Sequence, residues 1–258
     1  MDIGKFSLDF FSLANKVAMV TGGNSGLGQA FSLALAKAGA SVYVPTVIKE
    51  DGATKSLLTD EGVKAIFNVT DITQKGVPET VVKDCVEKLG RLDILVNCAG
   101  ICLEDPVLDF GLEKWEAMVA INLNAAFEMS HQAARVMVPQ NSGKIINVCS
   151  MFTFLGGLRS PAYAATKHGI AGLTKAYCDE LAQYNIQVNG LAPGYFATAI
   201  TTVTRENPVT NQRVLDHIPT NRWGQRLDLM GALVFLASPA SDYVNGHILT
   251  VDGGYLVR

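Results

Sequence analysis

The chain has 258 residues, of which 48% are hydrophobic and 17% are charged. This balance supports a buried core and excludes a predominantly disordered chain. The formal net charge is −3, whereas nucleic-acid-binding domains usually carry a basic surface, so we expect no nucleic-acid partner. No apolar run approaches the roughly 18 residues of a membrane-spanning helix, so we expect no membrane association.

Cysteine usage and the first residues indicate the compartment. The first five residues lack the basic and apolar regions of a signal peptide. The five cysteines have no Cys-x-x-Cys or zinc-site spacing, and we expect them to be reduced and mostly buried. The histidines show no ligand spacing, so no metal site is predicted. We therefore expect a cytoplasmic protein.

Seven short apolar runs alternate with longer segments of helical periodicity. The predicted strands cover residues 17–20, 41–44, 65–69, 94–96, 144–148, 187–191 and 248–251. The predicted helices cover residues 26–38, 74–89, 112–137, 163–183 and 227–237. Continuous apolar strands separated by helices are typical of a parallel sheet that is covered on both faces. The sequence therefore predicts one α/β domain over residues 1–258, a doubly wound parallel sheet of about seven strands.

The distinctive motifs all follow predicted strands. A glycine-rich turn follows the first strand, Asn97-Cys98-Ala99-Gly100 follows the fourth, Ser150 follows the fifth and Pro193-Gly194 follows the sixth. In a doubly wound sheet the ligand lies beyond the carboxyl ends of the strands. We therefore expect one ligand site at this edge.

The glycine-rich turn predicts a dinucleotide site. Gly22, Gly26 and Gly28 follow a strand and open a helix. Glycines permit a tight turn and a close approach of the backbone to a pyrophosphate. The helix N-terminus adds N–H donors and a favourable dipole.

The end of the second strand bears on the choice of cofactor. An acidic residue there would hold the ribose of NAD, but the strand continues to Thr46 without one. An arginine would favour NADP and is also absent, and Ser25 is not basic. Lys49 is within reach of a 2′-phosphate, but we interpret it as a surface residue. We predict NAD as cofactor, with NADP as the alternative.

Tyr163 and Lys167 are spaced as a proton-transfer pair. Residues four apart share one face of a helix. A free phenol has a pKa of about 10, and a nearby ammonium favours the phenolate form of a phenol. Such a pair can take the proton of an alcohol as hydride leaves carbon, and Ser150 can hold the same oxygen. The sequence therefore predicts oxidation of an alcohol or reduction of a ketone.

The combined motifs resemble the short-chain dehydrogenase/reductase family over nearly the whole chain. The matching segments are Thr21-Gly-x-x-x-Gly26-x-Gly28, Asn97-x-Ala99-Gly100, Asn122, Ser150, Tyr163-x-x-x-Lys167 and Pro193-Gly194. The resemblance implies a Rossmann-like fold, a homotetramer and a catalytic tetrad of Asn122, Ser150, Tyr163 and Lys167. In the family the lysine also binds the nicotinamide ribose, and the segment after Pro193 covers the nicotinamide.

The strand ends and the resemblance together give a set of expected cofactor-binding residues. They are Gly22, Asn24, Ser25, Gly26, Leu27, Gly28, Thr46, Asn68, Val69, Asn97, Ala99, Gly100, Tyr163, Lys167, Pro193, Gly194, Phe196 and Thr198. Asn68 stands where family members often have an aspartate beside adenine. An amide can also form a hydrogen bond with adenine, so Asn68 remains a candidate.

Within the family, the chain is most similar to sugar-acid dehydrogenases that act on gluconate and 2-dehydro-3-deoxy-gluconate. The similarity lies in residues 6–8, 144–147, 218–224, 228–231 and 240–246. A sugar acid carries a carboxylate, which arginine binds bidentately. Arg159, Arg205 and Arg222 are candidate anchors, alongside Ser150 and Tyr163 as substrate contacts. These relatives tend to carry an arginine pair where this chain has Leu103-Glu104.

Two alternatives to a sugar-acid dehydrogenase remain. One is a reductase of another carbonyl compound, such as a 3-oxoacyl thioester or small ketone, using NADPH. The other is a catalytically idle dinucleotide-binding redox sensor. The presence of all four tetrad residues argues against the idle sensor.

Overall fold

The computed structural model describes Gly4, residues 6–50 and residues 52–258. Seven parallel strands form one sheet in the order β3-β2-β1-β4-β5-β6-β7. The strands are β1 Val17–Val20, β2 Ser41–Thr46, β3 Ala65–Val69, β4 Ile94–Asn97, β5 Gly143–Val148, β6 Ile186–Pro193 and β7 Ile248–Val251. The strand order reverses where β1 pairs with β4. This arrangement confirms the predicted doubly wound, Rossmann-like sheet.

Nine helices of at least one α-turn occupy the described part of the chain. They are α1 Gly26–Lys37, α2 Ala53–Thr59, α3 Val77–Leu89, α4 Leu112–Val119, α5 Ala125–Gln140, α6 Pro161–Leu181, α7 Thr202–Glu206, α8 Pro208–His217 and α9 Leu227–Ala237. Local chemistry explains several ends. Pro161 begins α6 because proline suits the first helical turn. Gly90 follows α3 with a φ of 85°, which favours glycine. Helices α2, α7 and α8 were not predicted.

The predicted helix over residues 112–137 is interrupted. Residues Ala120–Asn124 form one π-helical turn between α4 and α5. Such turns are frequent at functional sites. Here the amide of Asn122 pairs with both backbone groups of Ile101, each at 2.9 Å. The wider turn therefore fixes a side chain against the loop that follows β4.

Two apolar clusters bury the two faces of the sheet. Val20 and Val44 pack with α1 and α9 on one face, whereas Met19 and Tyr43 pack with α3 and α5 on the other. Alternate residues of a strand point to opposite faces, so neighbouring positions feed both clusters. No helix in the described ranges is long and apolar enough to cross a membrane. Those ranges also hold no group of three or more His, Cys, Asp or Glu side chains suited to a metal.

Candidate active site

The turn between β1 and α1 forms a backbone cradle. Gly22 has a φ of 66°, and its N–H donates to the carbonyl of Pro45 at 2.9 Å. A Cβ on Gly28 would lie 2.3 Å from the carbonyl oxygen of Gly22, so only glycine fits there. Ser25 precedes α1 without capping it through its side chain. The first N–H groups of α1, from Gly26 and Leu27 onward, therefore remain available to an anion, and the cradle fits a pyrophosphate.

The ends of β1 and β4 are joined beside this cradle. The hydroxyl of Thr21 accepts hydrogen bonds from the N–H groups of Cys98 and Ala99, both at 2.9 Å. A Cβ on Gly22 would lie 3.4 Å from Ala99, and one on Gly100 would lie 3.0 Å from Oδ1 of Asn122. Thr21 was not among the expected site residues, although it is the hydroxyl residue that directly follows β1.

Side-chain hydrogen bonds hold the cleft edge at β2 and β3. Oδ1 of Asn24 accepts from the Thr46 hydroxyl at 2.7 Å, and Nδ2 of Asn24 donates to the carbonyl of Ile48 at 2.8 Å. Nδ2 of Asn68 donates to the hydroxyl of Tyr43 at 2.7 Å. Val69 follows Asn68 and is exposed. These four expected cofactor contacts therefore lie at adjacent strand ends.

Asn97 is buried within the sheet. Its Nδ2 donates to Oδ1 of Asn147 and to Oγ of Ser130, both at 2.8 Å. Its Oδ1 is buried and has no hydrogen-bond partner among the described residues. Any contact of Asn97 with a cofactor therefore involves its backbone and not its side-chain amide.

Lys167 is held at the end of β5. The side chain is buried on α6, and Nζ donates to the carbonyl of Val148 at 2.6 Å. Nζ also lies 5.4 Å from the ring centroid of Tyr163, which confirms that the two side chains share a face of α6. Phe152 meets the Tyr163 ring edge-on at 6.0 Å. The Tyr163 ring is therefore close to both an ammonium and an aromatic side chain.

Ser150 is tied to Lys167 through Thr153. The hydroxyl of Thr153 accepts from the N–H of Ser150 at 3.2 Å and donates to the carbonyl of Lys167 at 3.3 Å. Oγ of Ser150 accepts from the N–H of Phe152 at 3.2 Å. Its hydroxyl hydrogen has no acceptor in the described ranges and is available to a ligand. Sequence reasoning missed Thr153, whose signal is the Ser-x-x-Thr capping box.

Asn122 connects the loop after β4 to α6. Besides its bonds to Ile101, its Nδ2 donates to Oγ1 of Thr166 at 3.4 Å. The neighbouring Lys167 bonds β5, and Thr153 bonds both Ser150 and α6. The four tetrad candidates are therefore linked through one helix.

Backbone bonds hold the segment after β6 in place. The N–H of Gly194 donates to the carbonyl of Val251 at 2.9 Å, and Phe196 is buried and bridges Gly224. The N–H of Thr198 donates to the hydroxyl of Thr201 at 3.1 Å, which fixes the turn that precedes α7. Pro193, the last residue of β6, is buried.

Tyr195 forms an aromatic wall that the sequence did not reveal. Its ring lies 5.5 Å from Trp223 and 5.2 Å from Tyr255. Burial, with a smaller contribution from Tyr255, raises the pKa of Tyr195 to about 12. Tyr195 is therefore a neutral hydrogen-bonding group beside Pro193-Gly194.

The three candidate arginines differ in their surroundings. Arg222 forms a two-pronged ion pair with Asp228 at 2.7 and 3.0 Å. Arg205 donates to the carbonyl of Thr198 at 3.0 Å and to nearby threonine hydroxyls. Arg159 is exposed, and its guanidinium has no partner among the described residues. Its carbonyl accepts from the N–H of Asp105 at 2.8 Å, so Arg159 lies beside the loop after β4.

Comparison with known proteins agrees with this architecture. A family model described as short chain dehydrogenase matches residues 16–209. YgcW of Escherichia coli (strain K12), an uncharacterized oxidoreductase, is 63% identical, covering 99% of this chain and 98% of that protein. The 2-dehydro-3-deoxy-D-gluconate 5-dehydrogenase of Bacillus subtilis (strain 168) is 45% identical, covering 97% and 98%. A gluconate 5-dehydrogenase from Burkholderia cenocepacia J2315, solved with NADP and tartrate, is 36% identical with a TM-score of 0.92, covering 98% of this chain and 100% of that chain. The chain therefore belongs to the short chain dehydrogenase family and is an oxidoreductase.

Proposed function

We propose that this dehydrogenase transfers a hydride between NAD(P) and a secondary alcohol, or the corresponding ketone, of a sugar acid. One observation carries the proposal. Helix α6 carries Tyr163 and Lys167, and hydrogen bonds join it to Asn122 and, through Thr153, to Ser150, beside a glycine cradle. The named activities of the similar Bacillus subtilis and Burkholderia cenocepacia enzymes support the substrate class.

In this proposal the proton moves through Tyr163. During oxidation the phenolate oxygen of Tyr163 would take the proton of the substrate hydroxyl, and a nicotinamide held beside the glycine cradle would supply the hydride acceptor. Lys167, anchored 2.6 Å from the Val148 carbonyl, stabilises the negative charge of this phenolate before the proton is transferred. Ser150 donates its unused hydroxyl hydrogen to the substrate oxygen. Asn122 keeps the Ile101 backbone in place beside the reacting groups.

We propose NAD as the preferred cofactor and NADP as an accepted one. No arginine stands at the end of β2 to attract a 2′-phosphate, and no carboxylate stands there to repel it. Thr46 is engaged with Asn24, and Lys49 is the nearest cation in sequence. The NADP in the similar Burkholderia cenocepacia structure supports acceptance of the phosphate.

We propose Arg159 as the anchor for the substrate carboxylate. Arg205 and Arg222 already have partners, whereas the guanidinium of Arg159 has none in the described ranges. Arg159 also precedes α6, the helix that carries Tyr163 and Lys167. Its position supports a carboxylate at the mouth of the cleft.

One observation favours a second candidate, the reduction of an uncharged carbonyl compound. Glu104 stands in the loop after β4 and contributes to the raised pKa of Tyr195, after burial and Tyr255 and against the opposing effect of Arg213. A carboxylate at this wall disfavours an anionic substrate. A small ketone or a 3-oxoacyl thioester would avoid this repulsion.

We also propose a cytoplasmic homotetramer. One of the two edge strands of the sheet is β7, and its residues are only half-buried in the single chain. An exposed strand edge can be covered by a second copy. The five free cysteines support a reducing compartment.

An absorbance assay at 340 nm tests the proposal. The protein is mixed with NAD or NADP and either gluconate, 2-dehydro-3-deoxy-D-gluconate, uncharged polyols or simple alcohols, and the ketones are tested in reverse. We expect turnover of a sugar acid, faster with NAD than with NADP. Turnover of uncharged carbonyls alone with NADPH would support the second candidate and contradict the sugar-acid proposal.

A further inference from the structure

Three hydrogen-bonded side chains connect α3 to the carboxyl end of β3. The hydroxyl of Tyr43, on β2, donates to Oδ2 of Asp84 at 2.5 Å. Nδ2 of Asn68, on β3, donates to the same hydroxyl at 2.7 Å. Lys88 contacts the same Asp84 oxygen at 2.9 Å. The Tyr43 side chain is fully buried, so these are the partners that its hydroxyl depends on.

The hydrogen-bonding capacities of these groups fix their direction. Ionised Asp84 only accepts, and its pKa is lowered by the Tyr43 hydrogen bond and by Lys88. Burial, and then Asp84, raise the pKa of Tyr43, so the phenol keeps its proton. Tyr43 has one hydrogen, which Asp84 receives, and its oxygen can therefore only accept from Asn68. The amide of Asn68 must turn its NH₂ group toward Tyr43.

The Asn68 amide has a second polar end, its oxygen. The two ends of an amide have nearly the same shape, so a 180° flip exchanges a donor for an acceptor. With Nδ2 held by Tyr43, the oxygen of Asn68 is the end that remains for a ligand. Oδ1 of Asn68 has no hydrogen-bond partner in the described ranges. In those ranges, the only side-chain oxygen that is both buried and without a partner is that of Asn97, so the Asn68 oxygen is accessible.

We propose that Asp84 and Tyr43 are positioning residues that hold the Asn68 oxygen toward the exocyclic amine of the cofactor's adenine. This inference rests on the proposed dinucleotide function, in which Asn68 lies at the adenine end of the cleft. An aspartate at this position would need no such support, because both of its oxygens accept. The site should therefore prefer an amine, a donor, over a carbonyl oxygen at position 6 of the purine.

The test compares NADH with reduced nicotinamide hypoxanthine dinucleotide, which carries oxygen in place of the adenine amine. Their Kd values are measured by calorimetry on the full chain. We expect the natural protein to bind NADH about fivefold more tightly, as one hydrogen bond allows. In Tyr43→Phe the amide is free to flip, so the ratio of the two Kd values should fall toward one. Tyr177→Phe, on α6, is the control and should keep the ratio of the natural protein.

Asn68→Leu provides an independent variant because it leaves the Tyr43–Asp84 bond intact. It should also lose the discrimination between the two dinucleotides. If Asn68→Leu loses it while a folded Tyr43→Phe keeps it, Asn68 contacts adenine without help and the proposal is overturned. Equal binding of both dinucleotides by the natural protein overturns it as well. Failure to bind either dinucleotide would instead overturn the proposed function, and this inference with it.

Discussion

Arg159 combines an unpaired charge with an unusual backbone. Its φ is 64°, in the left-handed region that most non-glycine residues avoid. Such conformations persist where the surroundings enforce them. The bonds from Asp105 to the Arg159 carbonyl and from Ser160 to the Leu103 carbonyl, each 2.8 Å, hold this loop. The guanidinium is thus presented from a fixed loop.

Arg159→Asn tests the proposed carboxylate anchor. Asparagine tolerates the left-handed conformation, so the loop should be retained while the positive charge is lost. We expect the KM for a sugar acid to rise about tenfold or more, because hydrogen bonds to charged groups contribute about 1.5–3 kcal/mol. The kcat should change little, since the proton-transfer residues are untouched. Steady-state kinetics measures both.

Arg222→Gln is the matched control. Its exposed guanidinium pairs with Asp228, so we expect no change in the KM for substrate. A raised KM in Arg222→Gln together with an unchanged KM in Arg159→Asn would contradict the assignment of the anchor.

The strands and helices differed in how well the sequence predicted them. The seven strands were predicted from their short apolar runs, and the five inner strands are buried on both faces, whereas β3 and β7 are half-buried. The break between α4 and α5 was not predicted from the sequence. Residues Ala120–Asn124 continue the helical periodicity, and the π-turn depends on contacts with Ile101. Helix α8 carries readable start signals in Asn207 and Pro208. The short α2 follows Gly52, and its first N–H groups donate instead to the Glu50 side chain. Contacts between distant segments, such as those of Thr153 and Tyr195, need the folded chain.

Gly28→Ala tests the role of the cradle between β1 and α1 in cofactor binding. The added Cβ would lie 2.3 Å from the Gly22 carbonyl oxygen, so the turn must open. Overpacking of this kind costs about 1–3 kcal/mol. We expect the Kd for NADH to rise about tenfold and the thermal stability to fall, as measured by calorimetry and thermal unfolding.

Gly231→Ala provides the control for this change. Gly231 lies on α9, and a Cβ there meets nothing within 4 Å. Alanine in a helix interior is favoured over glycine by about 0.5–1 kcal/mol, so stability should rise slightly and cofactor affinity should stay unchanged. Cofactor binding by Gly28→Ala equal to that of the natural protein would contradict the role of the cradle.

At the scale of the whole molecule, the sheet order assembles the site. Because β4 and β5 continue the sheet directly beyond β1, Thr21, Asn97 and Ser150 all lie at one edge. Helix α6 then brings Tyr163 and Lys167 against the end of β5. The position of this edge was predictable from the strand order of a doubly wound sheet. The side-chain directions were not, as the buried amide of Asn97 illustrates.

The most direct test of the account compares the natural protein with Tyr163→Phe at 340 nm, using 2-dehydro-3-deoxy-D-gluconate and NAD. The variant retains the ring that packs against Phe152 but loses the group that moves the proton. We predict that turnover falls by about 10²-fold or more, while the Kd for NADH stays within about twofold of the natural value. Turnover by Tyr163→Phe at the natural rate would contradict the assignment of Tyr163 as the acid and base.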